Sequence, residues 1–148
     1  MNYSLRDCSL NDLDFILHLK ELTMKWYMQK IYGWDYEVQK QKTANEITKY
    51  GSSMKIIVVD NKDIGVTTFI DSNDHYKVGL TIIHPDYQRK GIATDLINKY
   101  IDIAKANKKK IIIKTYKENP AKNLYLRLGF CIYKTDNTHI YLEINFNQ

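Results

Sequence analysis

The chain is poor in the residues that staple or interrupt a fold. Two cysteines in 148 residues, Cys8 and Cys131, cannot make a disulfide framework and leave no second pair for a zinc site. Both are expected as buried structural thiols. Six glycines and two prolines exclude collagen-like and linker-dominated architectures. Apolar runs are short: Ile56-Ile57-Val58-Val59 falls far below the roughly 20 residues that cross a bilayer as a helix. The opening Met1-Asn2-Tyr3-Ser4-Leu5-Arg6-Asp7 lacks the basic-then-apolar pattern of a signal peptide. No His, Cys and Asp grouping has metal-ligand spacing, so no metal is expected. These absences predict a soluble, cytoplasmic protein that neither spans nor anchors to a membrane.

What is present suits one globular domain over 1–148. Hydrophobic residues make up 44% and charged residues 26%, and a chain of this length buries about two-thirds of its unfolded surface. Lysine and arginine number 22 against 17 aspartates and glutamates, a net charge of +5. Such a surplus fits a polyanionic partner, either a nucleic acid or a phosphorylated cofactor. The basic points are Gln88-Arg89-Lys90 and Lys108-Lys109-Lys110. The latter sits between a helical pattern and an apolar run and reads as a solvated connection. Nothing resembles a helix-turn-helix, and no nucleic-acid partner is expected.

The periodicity gives an order of elements. A first strand over 2–8 precedes a helix with apolar residues at Leu10, Leu13, Ile16, Leu17, Leu19, Leu22 and Trp26, spaced mostly by three and four. Gly33 ends that pattern, and a more polar helix covers 36–49. Strands follow at Met54–Val59, Ile64–Ile70 and Tyr76–Ile83, with Pro85 closing the third. A second amphipathic helix runs from Ile92 to about Asn107, then a buried strand at Ile111-Ile112-Ile113. Pro120 opens a short helix ending at Gly129. Strands Phe130–Thr135 and His139–Phe146 close the chain around an Asp136-Asn137 turn. The class is mixed α/β (α+β), in the order β-α-α-β-β-β-α-β-α-β-β, with six or seven strands and about four helices.

Chemistry concentrates in Ile82-Ile83-His84-Pro85-Asp86-Tyr87-Gln88-Arg89-Lys90-Gly91-Ile92-Ala93-Thr94. A strand ends at a proline, a basic turn follows, and a helix begins at once. Orphan N–H groups at a helix start, the helix dipole, and a glycine that admits close approach make a pyrophosphate cradle. No P-loop G-x-x-x-x-G-K-[ST] occurs, and one glycine is too few for a dinucleotide fingerprint.

The stretch instead resembles the acetyl-CoA-binding motif [QR]-x-x-G-x-[GA] of the GCN5-related N-acetyltransferase (GNAT) superfamily, as Gln88-Arg89-Lys90-Gly91-Ile92-Ala93. Downstream, Asn119-Pro120-Ala121-Lys122-Asn123-Leu124-Tyr125-Leu126-Arg127-Leu128-Gly129-Phe130 is similar to the family's N-x-x-A-x-x-L-Y-x-x-x-G-F segment. Its spacing from Asn to Tyr is one residue shorter, so either Asn119 or Glu118 fills the Asn position. The resemblance covers about 54–146 well and the first 50 residues by element order alone.

The resemblance implies an acetyl-CoA-dependent N-acetyltransferase acting by direct attack of a primary amine on the thioester. It places the cofactor where two neighbouring parallel strands, Tyr76–Ile83 and Lys110–Tyr116, splay apart. Thr81, Ile82 and Ile83 would pair with the pantetheine arm, and N–H groups near Ile83 would polarise the thioester carbonyl. Gln88, Arg89, Lys90, Gly91, Ile92, Ala93 and Thr94 would hold the pyrophosphate, with Asn119 and Tyr125 as further contacts. Tyr125 would protonate the departing CoA thiolate, since a phenol near pKa 10 is protonated at neutral pH. The general base is unassigned among His84, Glu21, Asp35, Glu37 and a water chain.

The acceptor is expected near the junction of the first two helices, where Tyr27, Trp34 and Asp35 offer ring faces and a counter-charge to a cationic amine. Trp26 reads rather as the last core residue of its helix. A small amine and a protein amino group remain alternatives, as does a non-catalytic acyl-CoA-binding module of the same fold. Pairing of Tyr141–Ile144 with a second copy would give a homodimer.

Overall fold

Strand β1 (Ser4–Asp7) opens the chain, and its Arg6 anchors the entry to the first helix. The Arg6 guanidinium binds Asp12 at 2.7 Å and Asp63 at 2.8 Å. Asp12 closes a capping box with Ser9: Ser9 N–H donates to the Asp12 carboxylate at 2.9 Å and Asn11 N–H to Ser9 Oγ at 3.3 Å. A 3-10 turn at Leu10–Asp12 leads into α1 (Leu13–Thr23). The structure, a computed structural model, describes residues 1–147.

The chain folds as two compact units, Met1–Thr68 with Leu80–Ile92, and Phe69–Gly79 with the residues from Ala93 onward. In the first unit α1 is followed by α2 (Lys25–Tyr32) and α3 (Tyr36–Tyr50), then strands β2 (Met54–Val59) and β3 (Lys62–Asp71). The single helix expected over 10–26 is two, broken at Met24. The break turns Trp26 outward at 44% exposure, with Leu10 and Leu22 also exposed, so Trp26 is not a core residue. The core holds Ile16, Leu19, Ile47, Met54, Ile56, Val66 and Ile82. Lys20, itself buried, donates to Thr43 Oγ1 at 2.9 Å and pairs with Glu46 at 2.5 Å, which ties α1 to α3.

β1, β2 and β3 form an antiparallel ladder in that order. Asp60 and Asn61, with φ of 49° and 64°, make the two-residue turn between β2 and β3, the mirror-image geometry that matches strand twist. β3 carries on from the first unit into the second, its last residues pairing with β4 (His75–Val78) through Phe69↔Val78. The chain then leaves strand geometry at Gly79–Thr81 and resumes as β5 (Ile82–Ile83), paired to β3 at Gly65↔Ile83 and Val66↔Ile82. The strand expected over Tyr76–Ile83 is therefore two short ones. That split raises the count to eight strands, and the break in the first helix raises the helices to five.

In the second unit α4 (Ile92–Ala106) buries Leu96, Ile97, Tyr100 and Ala104. Phe69 stacks between Tyr100 (4.1 Å) and Tyr76 (5.1 Å), and Lys109 lies over the Tyr76 ring while pairing with Asp71. Lys109 is thus fixed, rather than part of a merely solvated run. β6 (Lys110–Tyr116) runs parallel to β4, and α5 (Ala121–Arg127) leads to β7 (Cys131–Thr135) and β8 (His139–Ile144). β8 lies between β6 and β7 and is hydrogen-bonded on both sides. Tyr141–Ile144 consequently has no edge left for a second copy. Cys131 is exposed and Cys8 half-buried, against the expectation of two buried thiols.

Gly65 is the tightest point of the first unit. A Cβ there would stand 2.5 Å from the Ile82 carbonyl oxygen and 3.1 Å from Ile57. Gly65→Ala is expected to cost about 1–3 kcal/mol, as overpacking does, and to lower Tm by about 3–10 °C. Calorimetry checks this, and an unchanged Tm would refute the tight approach.

Candidate active site

The turn after β5 is built from backbone demands that its residues meet. His84 N–H donates to Ile64 O at 2.7 Å, and Pro85–Tyr87 form a 3-10 turn capped by His84, whose Nδ1 accepts from Asp86 N–H at 3.1 Å. That bond gives His84 a structural duty in place of the base role considered for it. Gln88 sends its amide back to the Ile83 carbonyl at 2.9 Å, tying the turn to the strand. Arg89 and Gly91 both take left-handed backbone, φ 62° and 85°, and α4 starts directly after at Ile92. Left-handed residues in such a turn gather successive N–H groups on one side, a concavity suited to an anion. Arg89, Lys90, Gly91 and Thr94 are exposed and Ala93 half-buried, so their amides are open to a ligand.

Ladder geometry fixes the other end of this stretch. In an antiparallel pair successive residues face alternate edges. Because His84 N–H points at β3, Ile82 faces β3 and Ile83 faces the opposite edge. The Ile83 carbonyl is taken by Gln88, which leaves its N–H directed along that edge. Thr81 is positioned by a 3.1 Å hydrogen bond between its hydroxyl and that of buried Thr67.

Among the second unit's residues, Asn119 is committed at both ends of its amide. It donates to Thr115 Oγ1 at 2.9 Å and accepts from Ala121 N–H at 3.0 Å, which starts α5. Glu118 is exposed. Tyr125 lies on α5 at 5% exposure, its ring 6.0 Å from Phe130 in a T-shaped contact. Burial pushes its phenol up to about 12, so it stays protonated through neutral pH. Gly129, at φ 107°, ends the helix, and Phe130 N–H returns to Tyr125 O at 3.1 Å.

The expected acceptor residues separate by role. Asp35 is the N-cap of α3, accepting from Val38 N–H at 3.0 Å. Tyr27 is buried at 1% exposure, edge-on to Trp26. Trp34 buries its indole N–H without an acceptor among the described residues, an uncommon state for a buried donor. Glu37 is exposed and Glu21 half-buried.

Sequence reasoning passed over His139. It pairs with Tyr116 in the β6–β8 ladder, its ring 4.1 Å from that tyrosine. Its signal, a histidine directly after a hairpin turn, is too common to single it out without knowing that β8 neighbours β6.

A family model described as an acetyltransferase (GNAT) domain matches residues 52–132, and the chain belongs to that family. No curated protein matches the sequence. Among solved structures, the PaiA N-acetyltransferase of Thermoplasma acidophilum, solved in complex with coenzyme A, is 22% identical over 98% of this chain and 99% of its own, with a TM-score of 0.75. An acetyltransferase of Thermus thermophilus is 13% identical, covering 98% and 97%, with a TM-score of 0.73. The ribosomal-protein-S18-alanine N-acetyltransferase of Escherichia coli is 16% identical, covering 99% and 96%, with a TM-score of 0.70. At these identities the likeness establishes the mixed α/β fold. Among the described residues no helix is long and apolar enough to cross a membrane.

The buried phenol has a consequence for stability. The folded chain keeps Tyr125 protonated where the unfolded chain ionises it near pH 10. Its contribution is therefore full below about pH 10 and falls as pH rises to about 12, by about 2–3 kcal/mol for two pKa units. Tyr125→Phe should flatten the unfolding free energy across that window in alkaline denaturation. Identical slopes for both proteins would refute the shift.

Proposed function

We propose that the chain is an acetyl-CoA-dependent N-acetyltransferase whose acceptor is a primary amine, with 1–148 working as one domain. The observation that carries this reading is the turn from Ile83 to Ile92: a strand edge with an outward N–H, a side-chain clamp, two left-handed residues and a helix start in sequence. Its chemistry fits a pantetheine amide at Ile83 and a pyrophosphate at the amides of Arg89 to Thr94, with Arg89 and Lys90 adding charge.

Acetyl-CoA supplies the activated thioester. Ile83 N–H serves as a donor to carbonyl oxygen, the function of an oxyanion hole. Gln88 holds that strand end against the turn, so that arm and pyrophosphate contacts keep a fixed spacing. Tyr125 acts as the general acid, because its buried phenol is neutral at working pH and gives a proton to a thiolate. Asn119 contributes by fixing the start of α5, which carries Tyr125, as much as by any contact of its own.

On the acceptor side the structure favours Trp34 over its companions. Asp35 serves α3 and Tyr27 is enclosed, whereas the orphan indole N–H of Trp34 suits an acceptor's oxygen.

Isothermal titration should give micromolar binding of acetyl-CoA and little of ATP. Absence of binding at low salt would sink the reading. Tyr125→Phe is expected to lower kcat about 100-fold, within the range for a general acid, with acetyl-CoA affinity unchanged. Unaltered turnover would remove Tyr125 from the mechanism, and binding without turnover of any amine would leave a non-catalytic acyl-CoA module.

A further inference from the structure

Amine acetylation removes two protons from the acceptor nitrogen, and the site described above accounts for one. An ammonium R–NH3⁺ must lose a proton before its lone pair attacks the thioester carbon. A second leaves as the C–N bond forms and the C–S bond breaks. Tyr125 donates to the sulfur and is reprotonated by that second proton. The first needs a base, and the candidates read from the sequence do not supply one: His84 and Asp35 cap turns, and β4 and β5 hold no carboxylate.

The open end of β6 does hold a suitable group. β4 and β6 are parallel, and their pairing ends at Val78↔Ile113, while β6 continues for Lys114, Thr115 and Tyr116 paired to β8. In open α/β sheets ligands bind outside the carboxyl ends of parallel strands. Opposite Tyr116, on the same face of the ladder, stands His139, its side chain 15% exposed. We propose that His139 is the general base of the acetyl transfer, taking the first amine proton at Nε2 and passing it to water. This rests on the acyl-transfer reading given above.

The hydrogen-bond chain behind His139 fixes which nitrogen is basic. The Asp136 carboxylate accepts from the Thr138 hydroxyl at 3.4 Å, as well as from the N–H groups of Thr138 (2.9 Å) and His139 (2.7 Å). A carboxylate only accepts, so Thr138 spends its proton on Asp136. Its oxygen then accepts from His139 Nδ1–H at 2.7 Å. The imidazole keeps its lone pair at Nε2, which has no partner among the described residues. A base oriented by a hydroxyl and then a carboxylate is a recurrent arrangement for activating a nucleophile.

The charges that face the ring keep it unprotonated. Burial and Lys114, across on β6, hold its pKa below the ordinary 6.5, opposed by Asp136, whose Oδ1 lies 3.8 Å from Nδ1. The Tyr116 ring covers one face. A neutral imidazole at physiological pH is the form that can accept.

Two measurements test this on the full chain. Nitrogen–proton correlation NMR of uniformly labelled protein should show His139 as the Nδ1–H tautomer, titrating below 6.5; an Nε2–H tautomer would overturn the proposal. Kinetics with acetyl-CoA and either benzylamine or spermidine should give a kcat/KM that rises through the His139 pKa and then stays level. A wild-type profile climbing with unit slope to the amine's own pKa would overturn it. His139→Gln should lose about 100-fold or more in kcat/KM and acquire that climbing profile, with acetyl-CoA binding by calorimetry unchanged. Wild-type protein that fails to bind acetyl-CoA would instead overturn the acyl-transfer reading, so the two failures are told apart.

Discussion

The first unit depends on how β5, only two residues long, is held against β3. Two ladder pairs would be a weak grip. It is reinforced by the His84 N–H to Ile64, the Thr67–Thr81 hydroxyl bond and the Gln88 amide on the Ile83 carbonyl. Gly65 permits the approach, because any side chain there would meet the Ile82 carbonyl. Everything proposed for the cofactor, from the Ile83 N–H to the amides after Gln88, inherits its position from this short strand. The interruption at Gly79–Thr81 frees β5 to bond outward, at the cost of regular pairing over three residues. Strand irregularities of this kind gather near active sites, where they re-aim a group.

The turn that follows shows where local strain has been placed. Gly91 takes φ 85° without penalty, but Arg89 takes φ 62° with a Cβ, a conformation that costs of order 1 kcal/mol for a non-glycine residue. Two nearby bonds offset it: the 3-10 turn of Pro85–Tyr87 and the Gln88 clamp. Arg89 could not be replaced by glycine without losing the charge that a diphosphate would meet. The strain is thus coupled to the proposed function rather than incidental to it.

Where the backbone demanded special residues, the sequence was legible. Pro85, Gly91, Pro120 and Gly129 marked the strand end, the cradle, the start of α5 and its stop, and the structure has each of them there. Apolar periodicity located α3 and α4 to within a residue or two. What escaped were features set by partners distant in sequence. The split of Tyr76–Ile83 follows from a change of neighbour, from β6 to β3, that no local pattern encodes. The interior place of β8 closes the edge that Tyr141–Ile144 seemed to offer. The break at Met24 moved Trp26 to the surface, because no proline or glycine announced it. His139 acquires meaning only beside Tyr116 and Asp136.

Burial sorts acid from base in this protein without any charged partner having to do so. A phenol and an imidazole both lose their charged forms when removed from water, the phenol by holding its proton and the imidazole by refusing one. Tyr125, enclosed on α5, moves up to about 12, and His139, enclosed beside Tyr116, moves below 6.5. The same physical cause drives the two values apart, which leaves one neutral donor and one neutral acceptor over the whole physiological range. Lys114 strengthens the separation on the imidazole side, and its ammonium also lies over the Tyr141 ring at 5.4 Å, which holds it in place. A site arranged this way needs no buried carboxylate in β4 or β5. That accounts for how the strands preceding Pro85 can be wholly uncharged at Val78–Ile83 and still belong to a working acetyltransferase domain.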